Sequence, residues 1–242
     1  MNKYALVTGG TQRIGKAIVE ILHTQGYTIF LHYGANEEAA LNLKNSLNTI
    51  RKESCFIKSV DLSNKTQDIE AWISDYTDSL DVLVNNASQF FPTPWESATS
   101  DQWEQLFNIN VKSPFFITQT LLSYLEKTNG SVINLIDIHA ERTLEDHPIY
   151  SATKAALKSL TLSLAKDYGD KIRCNGISPG AILWPENEGN VSECAKQEIL
   201  SKVPMQRLGD VDNIAQTALF LVQNDYINGQ IINVDGGRTV YS

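Results

Sequence analysis

Three side chains in the middle of the chain have the types and spacing for acid–base chemistry. Tyr150 and Lys154 stand four residues apart in Ile149-Tyr150-Ser151-Ala152-Thr153-Lys154-Ala155, the start of a helix-forming run. At about 3.6 residues per turn both project from one helix face. A phenol beside an ammonium makes a proton donor with a tuned pKa, because the cation favours phenolate and draws the tyrosine down towards neutrality. Asp137 lies thirteen residues before Tyr150, at the end of a buried-type strand pattern. A carboxyl beside the phenol either relays a proton or, when ionised, holds the phenol protonated.

These side chains need a scaffold, and the chain alternates strand and helix patterns throughout. The apolar run Tyr4 to Val7 ends in Thr8-Gly9-Gly10-Thr11-Gln12-Arg13-Ile14-Gly15, followed by a helical pattern with Ile14, Ala17, Ile18, Ile21 and Leu22 on one face. Strand, glycine turn and helix form the context a dinucleotide fingerprint requires. Gly9 and Gly15 let the backbone approach a pyrophosphate at the helix N-terminus. An ordinary glycine turn is the alternative. The second strand, Thr28 to Tyr33, runs into Gly34-Ala35-Asn36. No acidic residue stands there to contact an adenosine ribose or repel a 2′-phosphate, and Arg13 supplies a cation, which favours NADPH over NADH.

A helix over about 37–51 precedes the third strand, Cys55 to Val60, which delivers Asp61-Leu62 to the adenine end of a cofactor; a turn or N-cap is the plainer role for Asp61. A polar helix over about 65–76 leads to the fourth strand, Leu80 to Val84, and then to Asn85-Asn86-Ala87-Ser88-Gln89-Phe90-Phe91-Pro92. One of the two phenylalanines in this loop makes a flat wall for a planar ring, unless both tuck into the core. A single long helix is expected over about 100–126, in which Pro114 deprives the Asn110 carbonyl of its helical donor.

The fifth strand, Ser131 to Ile136, delivers Asp137. The Tyr150 helix runs to about Tyr168, the sixth strand covers Ile172 to Ile177, and Ser178-Pro179-Gly180-Ala181-Ile182 follows. Residues 183–203, with Trp184 near their start, read as an irregular lid over the strand ends. A last helix over about 211–222 and a seventh strand, Gln230 to Val234, complete the pattern. The expected fold is α/β: a Rossmann-type, doubly wound, seven-stranded parallel sheet with helices on both faces, forming one domain over residues 1–242. Ligands bind at the carboxyl ends of such strands, where every motif named above falls.

Composition narrows the function classes. The 242 residues carry a net charge of −8, which argues against nucleic acid or an anionic membrane as partner. No apolar run approaches a membrane span, and the first residues enter a strand pattern rather than a signal peptide. Cys55, Cys174 and Cys194 lack metal spacing, and His23, His32, His139 and His147 form no ligand motif. No metal is expected, and a cytoplasmic location is.

Taken in order, Thr8-Gly9 to Gly15, Asp61-Leu62, Asn85-Asn86-Ala87, Asn110, Tyr150-x-x-x-Lys154 and Pro179-Gly180 resemble the short-chain dehydrogenases/reductases over essentially the whole chain. The resemblance implies that Tyr150 donates the proton and that Lys154 holds the nicotinamide ribose. It implies that Asn110 anchors a water through its carbonyl, that Asn86 and Ala87 line the cofactor, and that Pro179, Gly180 and Ile182 touch its nicotinamide end. Two positions depart from the usual pattern, Arg13 for glycine and Asp137 for serine. Both are similar to the pteridine reductases and the related bacterial dihydromonapterin reductases, as is Asn86-Ala87-Ser88-x-Phe90-x-Pro92-Thr93-Pro94.

That resemblance implies that Phe90 stacks on a pterin, and that Ser88 and Arg13 bond pterin or cofactor phosphate. The pteridine reductases carry His-Arg-Ser where this chain has Gly34-Ala35-Asn36. The implied activity is NADPH-dependent reduction of dihydropterins, with oxidised pterin or dihydrofolate as further candidates, by a homodimer or homotetramer. A carbonyl or 3-oxoacyl reductase is the alternative within the fold. From another class, the alternative is a non-catalytic NADP(H)-binding sensor.

Overall fold

The computed structural model describes residues 2–183 and 193–240, with the side chains of 193–195 outside the description. Strands β1 (Lys3–Val7), β2 (Tyr27–Tyr33), β3 (Cys55–Ser59), β4 (Val82–Asn85), β5 (Ser131–Leu135), β6 (Arg173–Pro179) and β7 (Ile231–Val234) form one sheet in the order β3-β2-β1-β4-β5-β6-β7. Every neighbouring pair is parallel. The expected architecture is therefore present, with strand boundaries within two residues of those read from the sequence.

Alternation builds both faces of the sheet. Ile29, Leu31 and Tyr33 enter one core layer with Ala5, Val7, Val84 and Ile133, while Phe30 enters the other with Leu6, Leu83 and Val132. A strand buried on both sides reads as a continuous apolar run for this reason. Helices α1 (Arg13–Thr24), α2 (Glu37–Ile50) and α9 (Val211–Gln223) cover the first layer. Helices α3 (Gln67–Ser74), α5 (Ser113–Thr120), α6 (Leu122–Glu126) and α7 (Pro148–Asp167) cover the second. Fully buried Leu or Ile side chains contribute roughly 1.5–3 kcal/mol each, so these two layers hold the scaffold rigid beneath the strand ends.

Two expectations need correction. The single helix over 100–126 is broken into α4 (Ser100–Phe107), a π-helical turn (Asn108–Lys112), α5 and α6. Ser113 N donates to Asn108 O, five residues back, immediately before Pro114, which has no N–H to give. The proline thus does more than free one carbonyl, because the ladder changes register beside Asn110. In the segment expected to be an irregular lid, Glu193–Ser201 forms helix α8, and residues 184–192 lie outside the described ones. No helix among the described residues is long and apolar enough to cross a membrane.

Strand register sets the position of the site. Val7 pairs with Leu31 and with Val84, and Val84 pairs with Ile133, so the carboxyl ends of β2, β1, β4 and β5 finish side by side. The chain winds outwards from β1 through β2 to β3, then returns to place β4 on the other side of β1. That reversal opens a crevice between β1 and β4, the topological switch point of a doubly wound sheet.

Candidate active site

The acid–base cluster assembles where β5 meets α7. Asp137 opens a short 3-10 turn (Ile138–Ala140), and its Oδ1 accepts from His139 N at 2.9 Å. Its Oδ2 accepts from the Tyr150 hydroxyl at 2.8 Å. Lys154 Nζ donates to Leu135 O at 2.9 Å and lies 5.6 Å from the centroid of the Tyr150 ring. Tyr150 and Lys154 are 5% and 3% exposed.

These contacts overturn the expected lowering of the Tyr150 pKa. Burial and then Asp137, through both its charge and its hydrogen bond, push the phenol well above its ordinary value. Lys154 has its hydrogen bond to a backbone carbonyl and faces the ring, whereas Asp137 touches the hydroxyl itself. Burial brings the Lys154 ammonium down to about 8, with the Asp137 charge opposing that shift.

Asn110 holds the cluster's framework through its side chain. Its Oδ1 accepts from Ser88 Oγ at 3.0 Å and Gln89 N at 2.8 Å. Its Nδ2 donates to Gln89 O at 3.0 Å and Thr153 Oγ1 at 3.1 Å. Thr153 Oγ1 in turn donates to Tyr150 O at 2.6 Å. One buried amide therefore ties the loop after β4 to the helix that carries Tyr150 and Lys154, and all its hydrogen-bonding capacity is used in doing so.

A cleft of about 1020 Å³ runs along the strand ends from this cluster to β3. Of the residues singled out from sequence, Gly9, Arg13, Ile14, Gly15, Gly34, Ala35, Asn36, Asp61, Leu62, Asn86, Ala87, Ser88, Phe90, Asp137, Tyr150 and Gly180 line it. A recess of about 240 Å³ shares several of these walls and adds Lys154, Pro179 and Ile182. Tyr33 does not line either cavity: its side chain packs in the core layer covered by α1 and α2. Trp184, placed at the substrate from sequence, lies outside the described residues.

The glycine turn is built to admit a ligand backbone-first. Gly9 has φ +63°, and a Cβ on Gly15 would lie 2.3 Å from Gly9 O and 2.6 Å from Asn86 Nδ2. Asn86 Nδ2 donates to Thr8 O at 2.9 Å and Gly9 O at 2.8 Å, clamping the turn to β4. Helices α2, α4 and α9 each have a side-chain N-cap, from Asn36, Thr99 and Asp210. Helix α1 has no side-chain cap and no acidic residue in its first turn. Its N–H groups and the positive end of its dipole suit a phosphate, so the residues present fit a dinucleotide.

Arg13 opens that helix with φ +52°, a left-handed conformation that costs an L-residue about 1–2 kcal/mol. Glycine would adopt it freely, so the arginine side chain is retained at an energetic cost. Asp61 edges the cleft but is engaged in its own turn: Ser63 N donates to Oδ1 and Asn64 Nδ2 to Oδ2, each at 3.0 Å. Those bonds, that of Asn64 first, hold its carboxyl below the usual range.

The phenylalanine pair divides its roles. Phe91 packs with Leu106, Ile149 and Tyr150, whereas Phe90 is 54% exposed at the cleft. The Phe90 ring stacks on His147 (centroids 4.5 Å apart, planes at 11°) and meets Tyr150 edge-to-face at 4.8 Å. His147 was not singled out by motif, although its place three residues before Tyr150 puts it one turn away. Arg238, near the end of the chain, was missed for want of any local pattern. Burial lowers its guanidinium pKa and the Asp137 carboxylate opposes that shift, so a cation in the segment after β7 interacts electrostatically with the acidic member of the cluster.

A family profile described as enoyl-(acyl carrier protein) reductase matches residues 9–239. The chain belongs to the short-chain dehydrogenase/reductase family. Within that family it is 31% identical over 250 residues to glucose 1-dehydrogenase 2 of Bacillus subtilis, covering 99% of this chain and 95% of the relative. It is 30% identical over 283 residues to pteridine reductase 1 of Leishmania tarentolae, covering 98% and 96%. It is 28% identical over 242 residues to the 3-oxoacyl-[acyl-carrier-protein] reductase FabG of Thermotoga maritima, covering 98% of each. Short-chain dehydrogenases/reductases are oxidoreductases that use NAD(P)(H), and this chain shares that class. Similar identities to relatives with such different names do not discriminate among substrates, so the substrate must be argued from the site.

Proposed function

We propose that this protein is an NADPH-dependent reductase of pterins, converting dihydropterin to tetrahydropterin, with oxidised pterin and dihydrofolate as further candidate substrates. The observation that carries this reading is the 2.8 Å hydrogen bond from Tyr150 to Asp137. Reduction of a ketone is served by a hydroxyl donor that polarises the carbonyl oxygen. Reduction of a ring C=N bond requires a proton on nitrogen, and a carboxyl coupled to the phenol suits proton delivery better than abstraction.

Bound in the cleft, reduced nicotinamide supplies the hydride. Tyr150 holds the proton: burial and the neighbouring carboxylate keep its hydroxyl protonated. As that proton passes to the substrate nitrogen, Tyr150 gives up its hydrogen bond to Asp137, and a proton taken up from solvent by the carboxylate then restores the phenol. The Lys154 ammonium beside the ring offsets the phenolate that forms. Phe90 offers an exposed aromatic face for stacking a planar heterocycle. Arg13 and Ser88 lie on the same wall, within reach of polar ring atoms or a phosphate. The absence of an acidic residue in Gly34-Ala35-Asn36 supports NADPH over NADH.

Purified protein given NADPH and, in turn, dihydrobiopterin, dihydrofolate and an acetoacetyl thioester tests this reading. NADPH oxidation with the pterin is the expected result. Oxidation with the thioester alone overturns it in favour of a 3-oxoacyl reductase, the activity named for the Thermotoga maritima relative. Binding of NADPH without turnover of any substrate favours a sensor. The protein is also proposed to self-associate, since Phe115, Phe116 and Leu162 on α5 and α7 are 40–45% exposed.

A further inference from the structure

We infer that His32 is a positioning residue for dinucleotide binding: as a neutral imidazole carrying its proton on Nε2, it holds the glycine turn from below and ties that turn to the end of β3. This inference rests on the cleft being a dinucleotide site, and concerns how that site keeps its shape.

His32 lies near the end of β2 and is 3% exposed. It shares the strand face of Phe30, opposite Leu31 and Tyr33, yet it stands where the apolar layer gives way to the cleft. Its two ring nitrogens meet partners of opposite kind. Gly9 N lies 3.2 Å from Nδ1, and a backbone N–H can only donate, so Nδ1 is the bare acceptor. Nε2 lies 2.9 Å from Val60 O, which can only accept, so Nε2 carries the hydrogen. One tautomer satisfies both contacts, and burial, which lowers the imidazole pKa, keeps the ring in that neutral form. The cation would have a proton on Nδ1 pointing at the Gly9 N–H.

The backbone of His32 adds a third tie, since its carbonyl accepts from Gly10 N at 3.1 Å. Consecutive residues of the turn are thus fixed by the side chain and the main chain of a single residue. This assigns the Gly9 N–H inwards, to the protein. It leaves phosphate recognition to the uncapped N–H groups at the start of α1. At its other edge the ring reaches Val60, directly before Asp61 and Leu62 on the opposite cleft wall. Loss of the imidazole would therefore loosen the turn and the β3 end together, without touching Asp137, Tyr150 or Lys154.

The test compares wild type with His32→Asn, which keeps an acceptor near the Nδ1 position, and His32→Leu, which removes it. NADPH and NADH affinities are measured by quenching of intrinsic fluorescence, and turnover is measured at saturating NADPH. Amide hydrogen exchange of residues 8–14 is followed in protein without nucleotide. The expected result is at least about tenfold weaker NADPH binding in His32→Leu, largely restored in His32→Asn, with kcat at saturation within about threefold of wild type. The Gly9 amide should exchange faster in His32→Leu.

Undiminished NADPH affinity in His32→Leu, or His32→Asn no better than His32→Leu, overturns the inference. Should His32→Leu fail to fold, His32→Asn against wild type decides through the exchange rate of Gly9: slow exchange in both supports the acceptor role, and fast exchange in the variant overturns it. A wild-type protein that binds neither NADPH nor NADH overturns the dinucleotide reading, and with it this assignment. That outcome is distinct from a wild type that binds and a variant that binds equally well.

Discussion

Tyr150 has neighbours of opposite charge, and their placement decides which one governs it. Asp137 contacts the hydroxyl at 2.8 Å, while Lys154 Nζ faces the ring from 5.6 Å. Replacing the carboxylate should therefore release the phenol. In Asp137→Ser, Tyr150 is expected to ionise at lower pH than in wild type, read as ultraviolet phenolate absorbance against a Tyr150→Phe background. Pterin reduction should fall on the order of 10²-fold, the usual worth of a positioned acid–base group. Unchanged pterin reduction would remove Asp137 from the proton path. Lys154 gives a prediction of opposite sense for stability. Its pKa is about 8 folded against 10.5 in the ordinary chain, so the unfolded state binds more protons between those values. Stability contributed at this position therefore rises as pH climbs from about 8 to 10.5, and the cost of the buried charge, about 3 kcal/mol, is present in full below 8. Lys154→Met should unfold at higher urea than wild type at pH 7, despite leaving the Leu135 carbonyl unpaired, and should lack the wild-type rise in this window. Its reductase activity should be nearly abolished.

Elements explain why some of this was legible in the sequence and some was not. The glycine turn, the strand ends and the Tyr150 helix were readable because each rests on local periodicity and a few obligatory residue types. Arg13 was visible as an exception to a family pattern, and its φ of +52° supplies the reason for the pattern. Arg13→Gly should relieve the strain, offset in part by greater freedom of the unfolded chain. The unfolding free energy is expected to stay level or rise by up to about 1 kcal/mol, while the KM for pterin rises at least severalfold. A clear loss of stability with unchanged KM would make Arg13 a structural residue. The break in the long helix was not legible, because a π turn keeps the same apolar composition and differs only in which carbonyl each N–H finds. Nor was the role of the Asn110 amide, which depends on Ser88, Gln89 and Thr153 arriving from two other elements. His147 and Arg238 were missed for the same reason: His147 meets Phe90, and Arg238 comes within the field of Asp137, only in the folded chain. The stack with His147 predicts that His147→Ala lets the Phe90 ring move, raising pterin KM several-fold with NADPH affinity intact. Phe90→Ala should do the same more strongly, and equal losses for both ligands would assign the pair to structure.

At the scale of the whole molecule, alternating strand and helix patterns were enough to give seven parallel strands with helices on both faces, whereas the strand order, and with it the switch point, comes from the structure. Apolar side chains remain exposed at scattered points of the surface, and those that cluster on one face are the informative ones. Phe115, Phe116 and Leu162 lie on helices that also carry the catalytic framework: α5 follows the π turn of Asn110, and α7 carries Tyr150 and Lys154. The groove between α5, α6 and α7 is walled by Pro114, Phe115, Leu122, Leu157 and Leu164. A second copy packed on this face would cover apolar surface and stiffen the very helices that hold Asp137's partners. Phe115→Asp combined with Leu162→Asp should place carboxylates in that contact, where desolvating them costs more than the lost apolar burial. Light scattering is expected to show wild type as a multiple of the 26.9 kDa chain and the double variant shifted towards 26.9 kDa. Because neither substituted side chain reaches the cleft, the variant should still bind NADPH, with reduced kcat if association stiffens the Tyr150 helix. A wild type already at 26.9 kDa would show that this apolar face is not a contact between copies. A double variant that stays associated would move the interface elsewhere on the surface.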